Sequence, residues 1–219
     1  MNYLLHLLLS EPEDDCYVGT LLGDFVKGTL ESHARNFRPA VLRGLKQHRR
    51  MDSYAQQNAV FKRSCQRLDK SYGLYRSIMV DLFYDHFAAR HWQRFHPQPL
   101  PDFARNIYTL LRTRTDLPPA FVPVAARMRQ HNLLVAYTHP QTIERALNHI
   151  SSRAKAPDPL RGAITELHHN YVELEQDCIC FIQAAMRWTE QNPLWEQSPP
   201  GIEPETKFAA EGRAGNLDK

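Results

Sequence analysis

Apolar residues recur along this chain at intervals of three and four, the period of an amphipathic α-helix, and no strand-like alternation or internal repeat stands out. Met1 to Ser10 is apolar but short. It lacks a basic start and a small-residue cleavage site, so it reads as a core helix or buried segment rather than a signal peptide. Tyr17 to Val26 carries Val18, Leu21, Leu22, Phe25 and Val26 on one face, with Gly28 as the stop. Pro39 opens a helix that Val41, Leu42 and Leu45 continue towards Met51. A break near Ser53 to Asn58 precedes another helix to Leu68, and Tyr72 to Phe95 reads as one long helix ended before Pro97. Further apolar faces lie at Phe103, Ile107, Leu110 and Leu111, after Pro118 and Pro119 to about His131, and after Pro140 at Ile143, Leu147 and Ile150. The last stripe steps through Leu160, Ile164, Leu167, Tyr171, Leu174, Cys178, Phe181 and Ala185. It suits packing along neighbouring helices, with a dimer seam as the other use of such a stripe.

The pattern predicts an all-α helical bundle, a single helical domain over 1–192. From Pro193 onward, breakers and mixed charges predict a flexible tail over 193–219. Composition agrees. Nine glycines in 219 residues, with few Val and Ile, argue against a sandwich, a barrel or a Gly-rich nucleotide-binding fold. The formal net charge of +3 is too small for strong nonspecific nucleic-acid binding by net charge alone. Cys16, Cys65, Cys178 and Cys180 form no CxxC pair and no secreted disulfide framework. No stretch reaches membrane-spanning length. A cytoplasmic protein with neither a nucleic-acid nor a membrane partner is expected.

A bundle leaves some polar residues unexplained. Asp24 lies within the apolar run Leu21-Leu22-Gly23-Asp24-Phe25-Val26. A carboxylate there is either partly buried, needing a partner or a metal, or a helix-terminal residue near Gly28. His48 and Asp52 are four apart, as are Asp81 and Asp85, so each pair shares one helix face, with His86 next to the second. Bundle metal sites are built from such pairs, although carboxylates at this spacing also line solvated faces. Together, Asp24, His48, Asp52, Asp81, Asp85 and His86 make a nitrogen and oxygen donor set without thiolates, suited to Mn²⁺, Mg²⁺ or Fe²⁺ rather than structural zinc. His6, alone among leucines, reads as a satisfied core histidine. The remaining histidines, including His168 and His169, read as surface, turn or capping residues. Arg43, Lys46 and Arg50 share a face, either as solvated surface or as a docking face for an acidic partner. A second basic group includes Lys62, Arg63 and Arg67.

Four segments in order resemble the acyl carrier protein phosphodiesterases. They are Met1-Asn2-Tyr3-Leu4-Leu5-His6-Leu7, Leu22-Gly23-Asp24-Phe25-Val26-Lys27-Gly28, His48-Arg49-Arg50-Met51-Asp52 and Asp81-Leu82-Phe83-Tyr84-Asp85-His86-Phe87. The resemblance runs from Met1 to about Met186. It implies a helical, HD-like phosphohydrolase that removes 4′-phosphopantetheine from holo-acyl carrier protein with a divalent metal, preferably manganese. Asp24 matches an aspartate regarded as essential, and His48, Asp52, Asp81, Asp85 and His86 match polar motif positions. Two departures stand out. Leu8 occupies a position where members often have a second histidine, and Asp85-His86 reverses the usual His-Asp order, which points to a rearranged site.

On that resemblance, Asp24, His48 and Asp85 are expected as metal ligands, with Asp52 and Asp81 as ligands or their supports. His86 is expected to protonate the departing serine oxygen, and Arg49 to hold the phosphate by a bidentate contact. Acyl carrier proteins are acidic and helical, so Arg43, Lys46 and Arg50 would steer them in. The rival readings are a metal phosphohydrolase acting on a nucleotide or other small phosphodiester, and a non-catalytic helical module that binds an acidic protein.

Overall fold

The computed structural model describes residues 2–154 and 158–194. Among them are eleven α-helices and no strand: α1 (Tyr3–Leu8), α2 (Asp14–Leu21), α3 (Pro39–Gln57), α4 (Ala59–Arg67), α5 (Tyr75–Arg90), α6 (Leu100–Thr113), α7 (Val122–Gln130), α8 (Leu133–Ala136), α9 (Pro140–Ser152), α10 (Ile164–His169) and α11 (Tyr171–Gln191). The all-α bundle follows the apolar period. No helix among the described residues is long and apolar enough to cross a membrane, and all four cysteines are free.

The boundaries differ where a local signal outranks periodicity. The first long helix stops at Leu21 rather than Val26, and the chain turns at Gly23. Helix α3 runs through Ser53 and ends at Asn58, whose Oδ1 accepts hydrogen bonds from the Val60 and Phe61 amides at 2.9 and 3.2 Å and so caps α4. Gly73, at φ 52°, delays the next helix to Tyr75. The helix expected from Pro118 begins at Val122, with Pro123 in its first turn. The last stripe is divided at Asn170 between α10 and α11. Leu167, Leu174, Cys178, Phe181 and Ala185 are buried within the chain, so the stripe packs inside the bundle. Leu194 is also buried, which carries the packed chain past the boundary expected at 192. The rest of the expected tail, 195–219, lies outside the described residues.

Two glycines set the closest helix pair. A Cβ on Gly19 of α2 would lie 2.0 Å from the Val41 carbonyl oxygen. One on Gly44 of α3 would lie 2.1 Å from the Cys16 carbonyl oxygen. Backbone meets backbone here, and any side chain would force the helices apart. Helix α1 is almost wholly buried, with Leu4, Leu5 and Leu7 at 0–1% exposure. Helix α11 packs on α4 and α5 through Phe61, Tyr84 and Phe181, whose ring centroids lie 5.4–5.9 Å apart.

One ionic knot locks α11 to α4. Asp177 is 2% exposed and accepts hydrogen bonds from Arg63 Nε at 3.0 Å, Arg67 Nε at 2.9 Å and Ser64 Oγ at 3.0 Å. Burial alone would raise its carboxyl. Arg63, Arg67 and Ser64 outweigh burial and hold it below the ordinary value of 3.8. Both arginines reach solvent, so Asp177→Ala is expected to cost about 2–3 kcal/mol, under the figure for a fully buried pair. Because the folded pKa is depressed, that stability is present above pH 3.8 and is lost as pH falls through the folded value. Urea unfolding should show the full wild-type advantage at pH 7 and one that shrinks progressively as pH is lowered below 3.8. A gap that does not narrow with acidification would rule out the ionic explanation.

Candidate metal centre

Three side chains from two helices converge beneath the turn that follows α2. His48 and Asp52 project from one face of α3, a turn apart, and α1 brings His6 against them. The two imidazoles stack, with centroids 3.8 Å apart and planes inclined by 9°. Each Nε2 lies 3.2 Å from one oxygen of the Asp52 carboxylate, His6 on Oδ1 and His48 on Oδ2. Ligand atoms from all three residues fall within 4.8 Å of one another.

His48 Nδ1 lies 2.9 Å from the Thr20 carbonyl, which can only accept, so Nδ1 carries the hydrogen. The other ring nitrogen, Nε2, faces the Asp52 carboxylate. His6 is 2% exposed, and among the described residues neither of its ring nitrogens makes a well-directed hydrogen bond. Burial pushes its pKa down to about 3, so it is neutral at working pH. Burial would raise Asp52, but the His48 and His6 imidazoles hold it well below the ordinary carboxylate range. The two imidazoles and the carboxylate thus converge with ligand atoms within 4.8 Å of one another, an arrangement a bound cation would suit. The Thr20 carbonyl on the far nitrogen of His48 is the outer hydrogen bond that orients metal-binding histidines. Two imidazoles and a carboxylate fit a divalent metal of the manganese or iron type.

Backbone placement explains why this corner exists. A Cβ on Gly23 would fall 2.1 Å from the His48 ring, so only glycine lets the turn lie over the imidazole. That turn sets Asp24 at the rim. Its carboxylate is 64% exposed and its Oδ1 is 3.8 Å from His48 Nε2. Asp81 on α5 lies nearby and half-buried. Its pKa is raised to about 6 by burial and by the negative charges of Asp52 and Asp24.

A family model described as acyl carrier protein phosphodiesterase matches residues 1–185. The chain belongs to the acyl carrier protein phosphodiesterase family. A protein of that name from Shigella boydii serotype 18 is 31% identical over 180 residues, 80% of this chain and 90% of its own. One from Serratia proteamaculans is 30% identical over 197 residues, 89% of this chain and 100% of its own. One from Klebsiella pneumoniae strain 342 is 29% identical over 196 residues. No solved structure matches the chain.

Every residue of the cluster lies within the stretch matched to the acyl carrier protein phosphodiesterases. The structure brings His48, Asp52 and Asp24 together, sets Asp81 beside them, and adds His6, which sequence reasoning left as a core histidine. The missed signal was its setting: one imidazole in a wholly apolar helix has few partners unless another polar element reaches it. Asp85 goes elsewhere. It is fully buried, and its two oxygens accept hydrogen bonds from the Leu4 amide at 3.0 Å and the Leu5 amide at 2.8 Å. Burial lifts its pKa to about 7 against the opposing pull of those amides. Asp85 therefore anchors the start of α1, and through it His6.

His86 is pinned between the Tyr137 carbonyl and the Tyr171 hydroxyl, each 2.8 Å away. Burial lowers its pKa to about 4. Both nitrogens are engaged, so it has no proton on hand for a leaving group. Arg49 donates to the Gly28 and Val26 carbonyls at 2.7 and 2.9 Å, bracing the loop beyond Asp24. The expected basic face is also dispersed. Arg43 pairs with Glu11 and Glu13, which offsets a second grouping of possible ligands formed by those residues and Cys16. Arg50 donates to the Asn192 carbonyl at 2.9 Å and lies over the Trp188 ring. Lys46 is left alone on that face.

Proposed function

We propose that this chain hydrolyses the phosphodiester joining 4′-phosphopantetheine to the serine of holo-acyl carrier protein, releasing apo-carrier protein and 4′-phosphopantetheine in the cytoplasm. The observation that carries this reading is the convergence of His6, His48 and Asp52 inside a chain of this family. These three residues would hold a divalent metal, manganese before magnesium or iron, with Asp24 completing the site from its open side. Such an ion supplies polarisation of a phosphoryl oxygen and a lowered pKa for water.

The chain's own residues do the rest. His6 is buried at 2% exposure, whereas Asp52 is 35% and Asp24 64% exposed, so substrate reaches the centre from the side on which these carboxylates open. Asp24, at that entrance, is placed to orient the attacking water. The Gly23 turn and the Arg49 contacts hold Asp24 where it stands. In the net reaction one water adds to phosphorus, the bond from phosphorus to the serine oxygen breaks, and the serine oxygen takes up a proton.

The test is mass spectrometry of holo-carrier protein incubated with the purified chain. The carrier should lose the whole phosphopantetheine mass. EDTA should stop the reaction and added Mn²⁺ should restore it. An unchanged mass with metal-loaded protein overturns the reading, and binding without cleavage would point to a non-catalytic module. Turnover that persists after exhaustive chelation would remove the metal from the mechanism while keeping the substrate.

A further inference from the structure

The bond at issue lies at the protein end of the prosthetic arm. A carrier protein must therefore seat its own surface against the mouth of the metal centre, and the docking face must be contiguous with it. The basic groups singled out in the sequence are mostly engaged within the chain. Arg43 and Arg50 make internal contacts, and Arg63 and Arg67 are held by Asp177.

We propose that the groove between α6 and the α7–α8 corner is the surface on which an acidic helical face of the carrier protein docks, an inference that rests on the function proposed above. The groove encloses about 500 Å³ and is lined by Arg105, Thr109 and Arg112 of α6, by Arg129 of α7, and by Tyr108 and Asn132. All three arginines are exposed. Arg105 is paired to Asp102, its neighbour on the same helix, whereas Arg112 and Arg129 make no ion pair among the described residues. The Tyr108 hydroxyl accepts from the Leu134 amide at 2.8 Å, which leaves its proton for an acceptor in the groove.

Spacing selects the occupant. Arg105 and Arg112 are seven residues apart, so they share one face of α6 about 10 Å apart along its axis. A lone phosphate cannot bridge that interval. Carboxylates one or two turns apart on a partner helix can, and guanidinium forks suit them. Position agrees with the chemistry. Phe121, just before α7, meets the ring of Phe25, next to Asp24, with centroids 4.9 Å apart. Burial raises the pKa of the Tyr3 hydroxyl, Asp24 adds to the rise, and Arg127, two residues before Arg129, opposes it, so α7 lies within electrostatic reach of the same hydroxyl as Asp24. Helix α7 thus runs from a contact beside Asp24 at its start to Arg129 at the groove, about 12 Å along its axis.

Two measurements test this on the full chain: KM for holo-carrier protein, and the affinity of fluorescently labelled apo-carrier protein, each across a salt series. The variants are Arg105→Glu/Arg112→Glu/Arg129→Glu and the milder triple change to Gln. Wild-type affinity should fall with salt. The Glu variant should bind at least about tenfold more weakly and lose most of the salt dependence. The Gln variant should fall between, and circular dichroism should report an unchanged fold. Wild-type affinities and salt curves in both variants would overturn the docking assignment and leave the proposed reaction standing. Wild-type protein that binds the carrier through this groove but never cleaves it would overturn the reaction and keep the docking face. Stronger competition by short RNA than by carrier protein would assign the groove to a different partner and overturn the proposal.

Discussion

Replacing His6 by alanine is expected to reduce turnover of holo-carrier protein at least about 100-fold and to strip the protein of bound metal. Its ring is buried, held neutral, stacked on His48 and aimed at Asp52, yet among the described residues it finds no well-directed hydrogen bond. A side chain so placed adds little to folding as a polar group, because burial without a partner is costly. Its value would lie in coordination. Without His6, His48 and Asp52 remain, a pair from one helix that cannot surround an ion. The decisive readout is thermal. A metal present at about 100 times its dissociation constant adds about 2.7 kcal/mol to the folded state. For a domain of this size that amounts to about 5–10 °C in Tm. Mn²⁺ should raise the wild-type Tm by that order and leave His6→Ala unmoved, while helical circular dichroism is retained. A His6→Ala protein that still takes up one equivalent of metal and turns over normally would remove His6 from the centre.

The second large effect belongs to Asp85, and it separates anchoring from coordination. Asp85→Ala removes the acceptor of two buried amide hydrogens at the start of α1 and is expected to cost about 3–5 kcal/mol. The loss should appear in EDTA, where a residue acting only as a metal ligand would leave stability nearly untouched. Asp85→Asn keeps one acceptor oxygen and should recover part of the difference. Metal affinity and turnover should fall in both variants as a consequence, because a loosened α1 no longer presents His6. Metal-free Asp85→Ala with wild-type urea stability would refute the anchor and return Asp85 to the list of ligands.

These two residues show where reading the chain stops. The pairing of His48 with Asp52 is a property of helix pitch, and the spacing of four is enough to predict it. The same spacing joins Asp81 to Asp85, but it cannot say which way that helix is turned about its axis. In the fold, Asp85 faces the amides of α1 and Asp81 faces the cluster. His6 was invisible for a related reason. Among the described residues its polar company comes from α3, and nothing in a run of leucines specifies which distant helix will lie against it. The arginines of α3 follow the same logic. Their common face is legible, but the glutamates before α2 and the Trp188 ring that engage Arg43 and Arg50 arrive only with packing.

What the amino-acid sequence determined by itself was therefore local. It set the all-α class, the helix starts at Pro39 and Pro140, the buried stripe of α11, and the His48–Asp52 pair one turn apart on α3. These follow from backbone geometry and side-chain periodicity, which act over a few residues. Only the tertiary structure decided which carboxylate joins the histidine cluster and which meets amides, that α1 contributes an imidazole, and that the open arginines lie on α6 and α7. Those outcomes depend on how helices rotate and approach. That is governed by close packing at Gly19, Gly23 and Gly44 and by the need of every buried polar group for a partner.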